Sequence, residues 1–151
     1  MTYNSSEKNI ENLIFIIANL PDFLKLSICR TKTKELVEMS ESEKKEAMIR
    51  SLRSVYLINQ DKLAGITKTW MKVISEVEPD KLTEILHCYL QILDKLFNKI
   101  DPKMILNTFL SLEEHERNKL IVCLKEALFL NPNRENILKN IPTDISKIIF
   151  N

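Results

Sequence analysis

The chain contains one glycine, Gly65, among 151 residues, and this scarcity limits the folds open to it more than any other feature. Glycine makes up about 7% of average proteins, and it supplies the positive φ angles of tight turns between strands. Helices need no such residue. Phosphate-binding loops and the nucleophile elbow of hydrolases each require at least two glycines, so the sequence excludes both. The scarcity therefore predicts an all-α protein.

Length and composition favour one globular domain over residues 1–151. Hydrophobic residues make up 44% of the chain and charged residues 28%, which is typical of a folded domain of ordinary size. The formal net charge of +1 gives no general attraction to nucleic acid or to an acidic membrane surface. Any such binding would need a local patch of charge.

The cysteines and apolar runs favour a soluble, cytoplasmic protein. Cys29, Cys88 and Cys123 form no Cys-x-x-Cys pair, and an odd number suits free thiols in a reducing compartment. The first eleven residues are polar, unlike a secretory signal. The longest apolar run, 13–18, is far shorter than the roughly 20 residues of a membrane span. We therefore expect no membrane insertion.

Prolines divide the chain into about seven or eight predicted helices. Pro21, Pro79, Pro102 and Pro132 each precede apolar residues at helical spacing, and proline is favoured in the first helical turn. The polar segment 30–39 is the best candidate for a flexible loop, and the alternative is that a short turn near 34–39 continues the helix that begins at Pro21. The predicted helices span residues 6–20, 21–30, 41–58, 61–77, 79–99, 102–110 and 112–130, with a short helix after Pro132 and a last turn from Thr143. Without a constant repeat period, an irregular bundle and a short array both remain open.

Capping residues support three of these starts. Ser40 with Glu43, and Ser111 with Glu114, have the spacing of capping boxes, in which each side chain accepts a hydrogen bond from the other's backbone N–H. Asp61 is a candidate cap for the helix that it begins.

Two predicted helices are apolar on all sides over part of their length, at 13–18 and 120–130. Such helices are normally central and covered on several sides. Two alternatives remain: part of this surface docks a partner, or the β-branched run in the first helix is a strand. Helical spacing predicts a core that contains Leu13, Ile17, Leu52, Trp70, Leu86, Leu93, Leu120 and Leu124.

The side chains that usually carry chemistry form no recognisable site. His87 and His115 have no second metal ligand three or four residues away. Cys88 follows His87 directly, and helical neighbours point about 100° apart, so they do not face each other as nucleophile and base. The helix dipole explains the acidic segment 113–116 at a helix start. We therefore expect no enzymatic activity, no cofactor and no metal.

Nucleic-acid binding is a second possibility because residues 25–75 hold eleven basic and six acidic side chains. The segment Gln60–Trp70 resembles the core of the helix-turn-helix family, which implies DNA binding. It departs from that pattern because Gly65 follows Ala64 directly, without the residues that complete the first helix before the turn. The candidate nucleic-acid face consists of Arg30, Lys32, Lys34, Arg50, Arg53, Lys68 and Lys72.

These exclusions favour a small non-enzymatic protein-interaction module, an adaptor or a regulatory subunit. Its partner would be another protein or a second copy of the chain. Phe15 and Ile16 form the candidate interaction surface, since a terminal helix at the edge of the domain would leave them uncovered. Weak, salt-sensitive nucleic-acid binding and the binding of an apolar ligand between helices are the alternatives.

Overall fold

A computed structural model describes residues 14–150, which form ten α-helices joined by short connections and contain no β-strand. The helices are α1 (described over 14–18), α2 (Asp22–Val37), α3 (Glu41–Arg53), α4 (Gln60–Ser75), α5 (Pro79–Gln91), α6 (Leu93–Lys99), α7 (Pro102–Leu110), α8 (Glu114–Leu130), α9 (Arg134–Asn140) and α10 (Thr143–Phe150), with a 3₁₀ turn at Val55–Leu57. The all-α prediction is confirmed. The alternative of a strand is wrong, because residues 14–18 are helical.

The predicted loop at 30–39 is wrong, because α2 continues to Val37. Its buried residues, Lys25, Cys29, Thr33 and Leu36, recur every three or four positions. This spacing places them on one helical face, and α2 packs mainly against α4. Tertiary packing therefore stabilises a helix whose polar composition alone gave little sign of it.

The single helix predicted over 79–99 is two helices that meet at Ile92. This residue leaves the helical region with φ −116° and ψ 23°, although no proline or glycine lies nearby. Leu90, which precedes the break, and Ile92, which forms it, are both buried. The bend lets α5 lie against α8 while α6 reaches α3 and α9.

Two of the three predicted caps are displaced. At α3 the capping box is present: the Glu43 amide donates to Ser40 Oγ at 3.2 Å, and the Ser40 amide donates to Glu43 Oε1 at 3.0 Å. Ser111 instead ends α7 and donates to the Thr108 carbonyl at 2.6 Å. The capping box of α8 is formed instead by Glu113 and Glu116, and the Glu113 amide donates to Glu116 Oε1 at 3.0 Å.

Asn59, rather than Asp61, caps α4. Its side-chain oxygen accepts a hydrogen bond from the Lys62 amide at 2.9 Å. Asp61 lies inside the first turn, where its charge is still favoured by the helix dipole. The helix therefore begins one residue earlier than predicted, and it ends at Ser75.

The two helices predicted to be covered on several sides are covered only in part. In α1, Ile17 and Ala18 are buried, whereas the preceding Phe15 and Ile16 are exposed. In α8 the buried residues are Glu116, Leu120, Cys123, Ala127 and Leu128, and the exposed apolar residues are Val122, Phe129 and Leu130. No helix in the described part is long and apolar enough to cross a membrane.

The predicted core is also partly buried. Ile17, Leu52 and Leu120 are buried as expected. Trp70, Leu86, Leu93 and Leu124 are only partly buried, and Leu13 lies outside the described residues. Among the described residues, buried apolar side chains form four clusters instead of one. The space between these clusters is the candidate site.

Candidate functional site

An apolar cavity of about 490 Å³ lies between the helices. Every described α-helix except α9 contributes to its wall. The lining consists mostly of Leu, Ile, Met and aromatic side chains, with Trp70 and Tyr89 on α4 and α5, Phe97 on α6 and Phe109 on α7. We call this space the central cavity.

The central cavity explains why half of the predicted core is incompletely buried. Trp70, Leu86, Leu93 and Leu124 all line it. Their helices do point these side chains inward, as the spacing of apolar residues predicts. These side chains leave a space between them instead of closing over one another. An inward-facing residue therefore keeps accessible surface that belongs to the cavity.

Two hydroxyls of the wall already donate hydrogen bonds within the protein. Ser51 Oγ donates to the Ala47 carbonyl at 3.0 Å, and Thr67 Oγ1 donates to the Leu63 carbonyl at 2.7 Å. Each bond runs back along the residue's own helix. The wall consequently offers a bound molecule a surface for van der Waals contact and little for hydrogen bonding.

Trp70 on α4 and Tyr89 on α5 are joined by a hydrogen bond. In the described part of the wall, no other hydrogen bond between side chains joins two helices. Trp70 Nε1 donates to the Tyr89 hydroxyl at 2.8 Å. Burial raises the pKa of Tyr89 to about 12, against the lowering effect of the bond from Trp70. The phenol therefore stays neutral at physiological pH, and the pair fixes the spacing of α4 and α5.

The buried thiol in the wall is also unsuited to nucleophilic chemistry. Burial raises the pKa of Cys29, with a smaller opposing effect of Lys25. Since the thiolate is the reactive form, Cys29 is held as an apolar thiol.

Charge enters the lining at one place, on α2. Among the described lining residues only Lys32 and Glu35 are charged, and only these two are exposed. Lys32 Nζ lies 3.3 Å from Glu35 Oε2. Because every other described lining residue is buried or partly buried, we infer that the central cavity opens to solvent beside this pair. We call it the mouth pair.

The candidate nucleic-acid face is distributed over three helices. Arg30 donates to both oxygens of the Glu76 carboxylate, from Nε to Oε1 at 3.0 Å and from Nη2 to Oε2 at 2.9 Å. Arg50 pairs with Glu46 in the same helix. Of the remaining residues, Lys34 and Arg53 are exposed, Lys68 and Lys72 are partly buried on α4, and Lys32 belongs to the mouth pair.

The segment that resembles a helix-turn-helix core lies in one uninterrupted helix, because α4 runs from Gln60 to Ser75. No turn follows Gly65, and its φ is not positive. The DNA-binding function implied by that resemblance therefore receives no support from the local fold. Weak binding through the basic residues remains a prediction.

The two histidines lie apart from the central cavity. His87 Nε2 is 3.4 Å from Glu41 Oε1 and 2.6 Å from Gln91 Nε2. His115 is exposed, with Nδ1 3.4 Å from Glu113 Oε2. Within residues 14–150, no group of three or more His, Cys, Asp or Glu side chains is placed to hold a metal ion.

Sequence reasoning named many of the lining residues but missed the cavity. The signal that bore on it was the pair of segments that are apolar on all sides, 13–18 and 120–130, since both supply lining residues. No family model, curated protein or solved structure matches this chain.

Proposed function

We propose that the protein binds a largely hydrocarbon molecule in the central cavity. The observation that carries this proposal is a volume of about 490 Å³ with an apolar lining. Ligand-binding pockets usually have volumes of roughly 300–1,000 Å³ and mainly apolar walls. Of the functions considered from the sequence, an apolar-ligand binder is the one that this geometry favours.

The energetic cost of an empty interior supports the same proposal. Apolar side chains that face an unfilled space lose van der Waals partners on that side, and the loss of stability grows with the volume left unfilled. Water is a poor filler, because the hydroxyls of Ser51 and Thr67 already have partners. A hydrocarbon occupant removes this cost.

A cavity-filling substitution tests the proposal. Leu124 lines the central cavity, whereas Val122 on the same helix is exposed and does not. We expect the neutral dye 1-N-phenylnaphthylamine, excited directly, to bind the wild type with enhanced fluorescence. Leu124→Trp should weaken that binding at least tenfold, because the indole takes up the space of the dye.

Val122→Trp is the matched control and should bind the dye as the wild type does. If the wild type does not bind the dye, the proposed function is wrong. If both variants bind it equally well, the dye lies elsewhere, and the central cavity is not its site.

A second candidate is the protein-interaction module predicted from the sequence. The observation that favours it is the exposure of Phe15 and Ile16, at 47% and 53%, since clustered exposed apolar side chains often mark interfaces. If the partner is a second copy of the chain, sedimentation at rising concentration should show a dimer that Phe15→Ser abolishes. A wild type that remains monomeric throughout would remove the self-association form of this candidate.

A further inference from the structure

The mouth pair indicates which chemistry the exposed end of the ligand carries. We propose that the ligand is a neutral amphiphile with a hydroxyl head, and that this hydroxyl lies between Lys32 and Glu35. The inference rests on the proposed function, because it assigns the head group of a molecule whose chain occupies the central cavity.

A polar head group is better satisfied at the mouth pair than inside the cavity. Ser51, Thr67 and Trp70 already donate to other protein groups, and Tyr89 accepts from Trp70, which leaves the Tyr89 O–H as the donor that the described wall offers a ligand. A polar head buried there would exchange several hydrogen bonds to water for few to the protein. At the mouth, the ammonium of Lys32 and the carboxylate of Glu35 are both accessible to solvent. An amphiphile is therefore oriented with its chain inside and its head at α2.

The mouth pair is able to open for a ligand. Its two side chains are 44% and 54% exposed, and ion pairs in such positions contribute little to stability. They lie one helical turn apart, with Nζ and Oε2 separated by 3.3 Å. A small rotation of either side chain admits one oxygen atom between them.

A hydroxyl satisfies both members of the pair at once, since it donates to Glu35 and accepts from Lys32. A carboxylate head would gain Lys32 but would face Glu35 as a like charge. An ammonium head would be repelled by Lys32 in the same way. Because the pair has no net charge, a neutral head that both donates and accepts fits it best.

The test compares three probes of equal chain length in competition with 1-N-phenylnaphthylamine: dodecan-1-ol, its methyl ether and dodecanoate. The ether accepts a hydrogen bond from Lys32 but has nothing to donate to Glu35. Ratios of affinities are compared between proteins, so that intrinsic differences in the hydrophobicity of the probes cancel.

In Glu35→Met we expect the preference for the alcohol over the ether to fall about tenfold, the size of one charge-assisted hydrogen bond. The affinity for dodecanoate should rise relative to the alcohol, because the like charge is gone. Lys32→Met should weaken all three probes, and dodecanoate most.

Two exposed residues near the mouth pair, Lys34 and Glu38, do not line the central cavity and provide charge-matched controls. Lys34→Met and Glu38→Met should leave every ratio within twofold of the wild type. If Glu35→Met also leaves the alcohol-to-ether ratio within twofold, the assignment of the head group is overturned. Dodecanoate binding more tightly than the alcohol in the wild type would overturn it as well.

These outcomes separate the two proposals. Binding of the dye and all three probes without discrimination would leave the central cavity as a ligand site and remove only the hydroxyl assignment. Failure of the dye and every probe to bind would remove the proposed function itself.

Discussion

At the scale of single residues, Trp70 shows where sequence reasoning was right and where it stopped. Its helical spacing correctly places it on the inward face of α4. Helical spacing does not predict the partner of the indole N–H, which donates a hydrogen bond at 2.8 Å to the Tyr89 hydroxyl on α5. This partner lies nineteen positions along the chain and depends on how the two helices are aligned, which the local pattern does not encode.

The buried phenol of Tyr89 predicts a loss of stability in alkali. Its pKa is raised from 10 to about 12 in the folded protein, so the folded state holds the proton more tightly than the unfolded chain. The resulting stabilisation is complete below pH 10 and is lost as the pH rises through 12. Its size is about 3 kcal/mol. Between these pH values, the free energy of unfolding measured in urea should fall less steeply for Tyr89→Phe than for the wild type.

Tyr56 is exposed and provides the control for that experiment. The free energy of unfolding of Tyr56→Phe should fall with rising pH as steeply as that of the wild type. Equal slopes for the wild type and Tyr89→Phe would mean that Tyr89 ionises freely in the folded protein.

Gly65 gives a prediction that separates a continuous helix from a turn. A Cβ added at this position would lie 3.4 Å from Lys25 Nζ, the movable end of a long side chain. Since Gly65 lies within α4 without a positive φ, Gly65→Ala should stabilise the protein by about 0.5–1 kcal/mol in urea unfolding. Destabilisation by a similar amount would mean that the backbone there needs glycine.

At the scale of helices, the predicted bounds were right where neighbouring residues in the sequence determine them and wrong where distant contacts do. The bounds of α7 agree with the prediction, because Pro102 starts it and its apolar spacing ends at Leu110. The break at Ile92 could not be predicted from the sequence, because no proline or glycine lies near it. The helices against which α5 and α6 pack, α8 and α9, lie far along the chain, so no local pattern records these contacts. The same holds for the second half of α2, whose helical structure depends on packing against α4.

The capping box of α3 predicts a measurable local contribution. Ser40→Ala removes the acceptor for the Glu43 amide and should cost about 1 kcal/mol of stability at neutral pH. The hydrogen bonds with Ser40 hold the pKa of Glu43 below its ordinary value. The part of the stabilisation that comes from the ionised Glu43 carboxylate is therefore present above the ordinary carboxyl pKa and is lost as the pH falls through the depressed one.

Ser42, an exposed residue in the first turn of α3, is the matched control. Ser42→Ala should change the free energy of unfolding by no more than a few tenths of a kcal/mol. Equal effects of the two substitutions would show that the cap contributes nothing specific.

At the scale of the whole molecule, the separation between helices determines the candidate site. The pattern of apolar residues predicts which face of each helix turns inward, and Leu86, Leu93 and Leu124 do so. It does not predict how far apart the facing helices stand, because that distance follows from all the contacts together. The all-α class was therefore readable from the sequence, whereas the central cavity and its mouth at Lys32 and Glu35 were not.

The most direct test of the account is whether an apolar ligand stabilises the fold through the central cavity. Urea unfolding should be measured with and without 1-N-phenylnaphthylamine at ten times its dissociation constant. Linkage predicts a gain of about 1.4 kcal/mol for the wild type and for Val122→Trp. Leu124→Trp should gain no more than about 0.4 kcal/mol at the same concentration, because its affinity is at least tenfold weaker. An unfolding curve of the wild type that the ligand leaves unchanged would contradict the account.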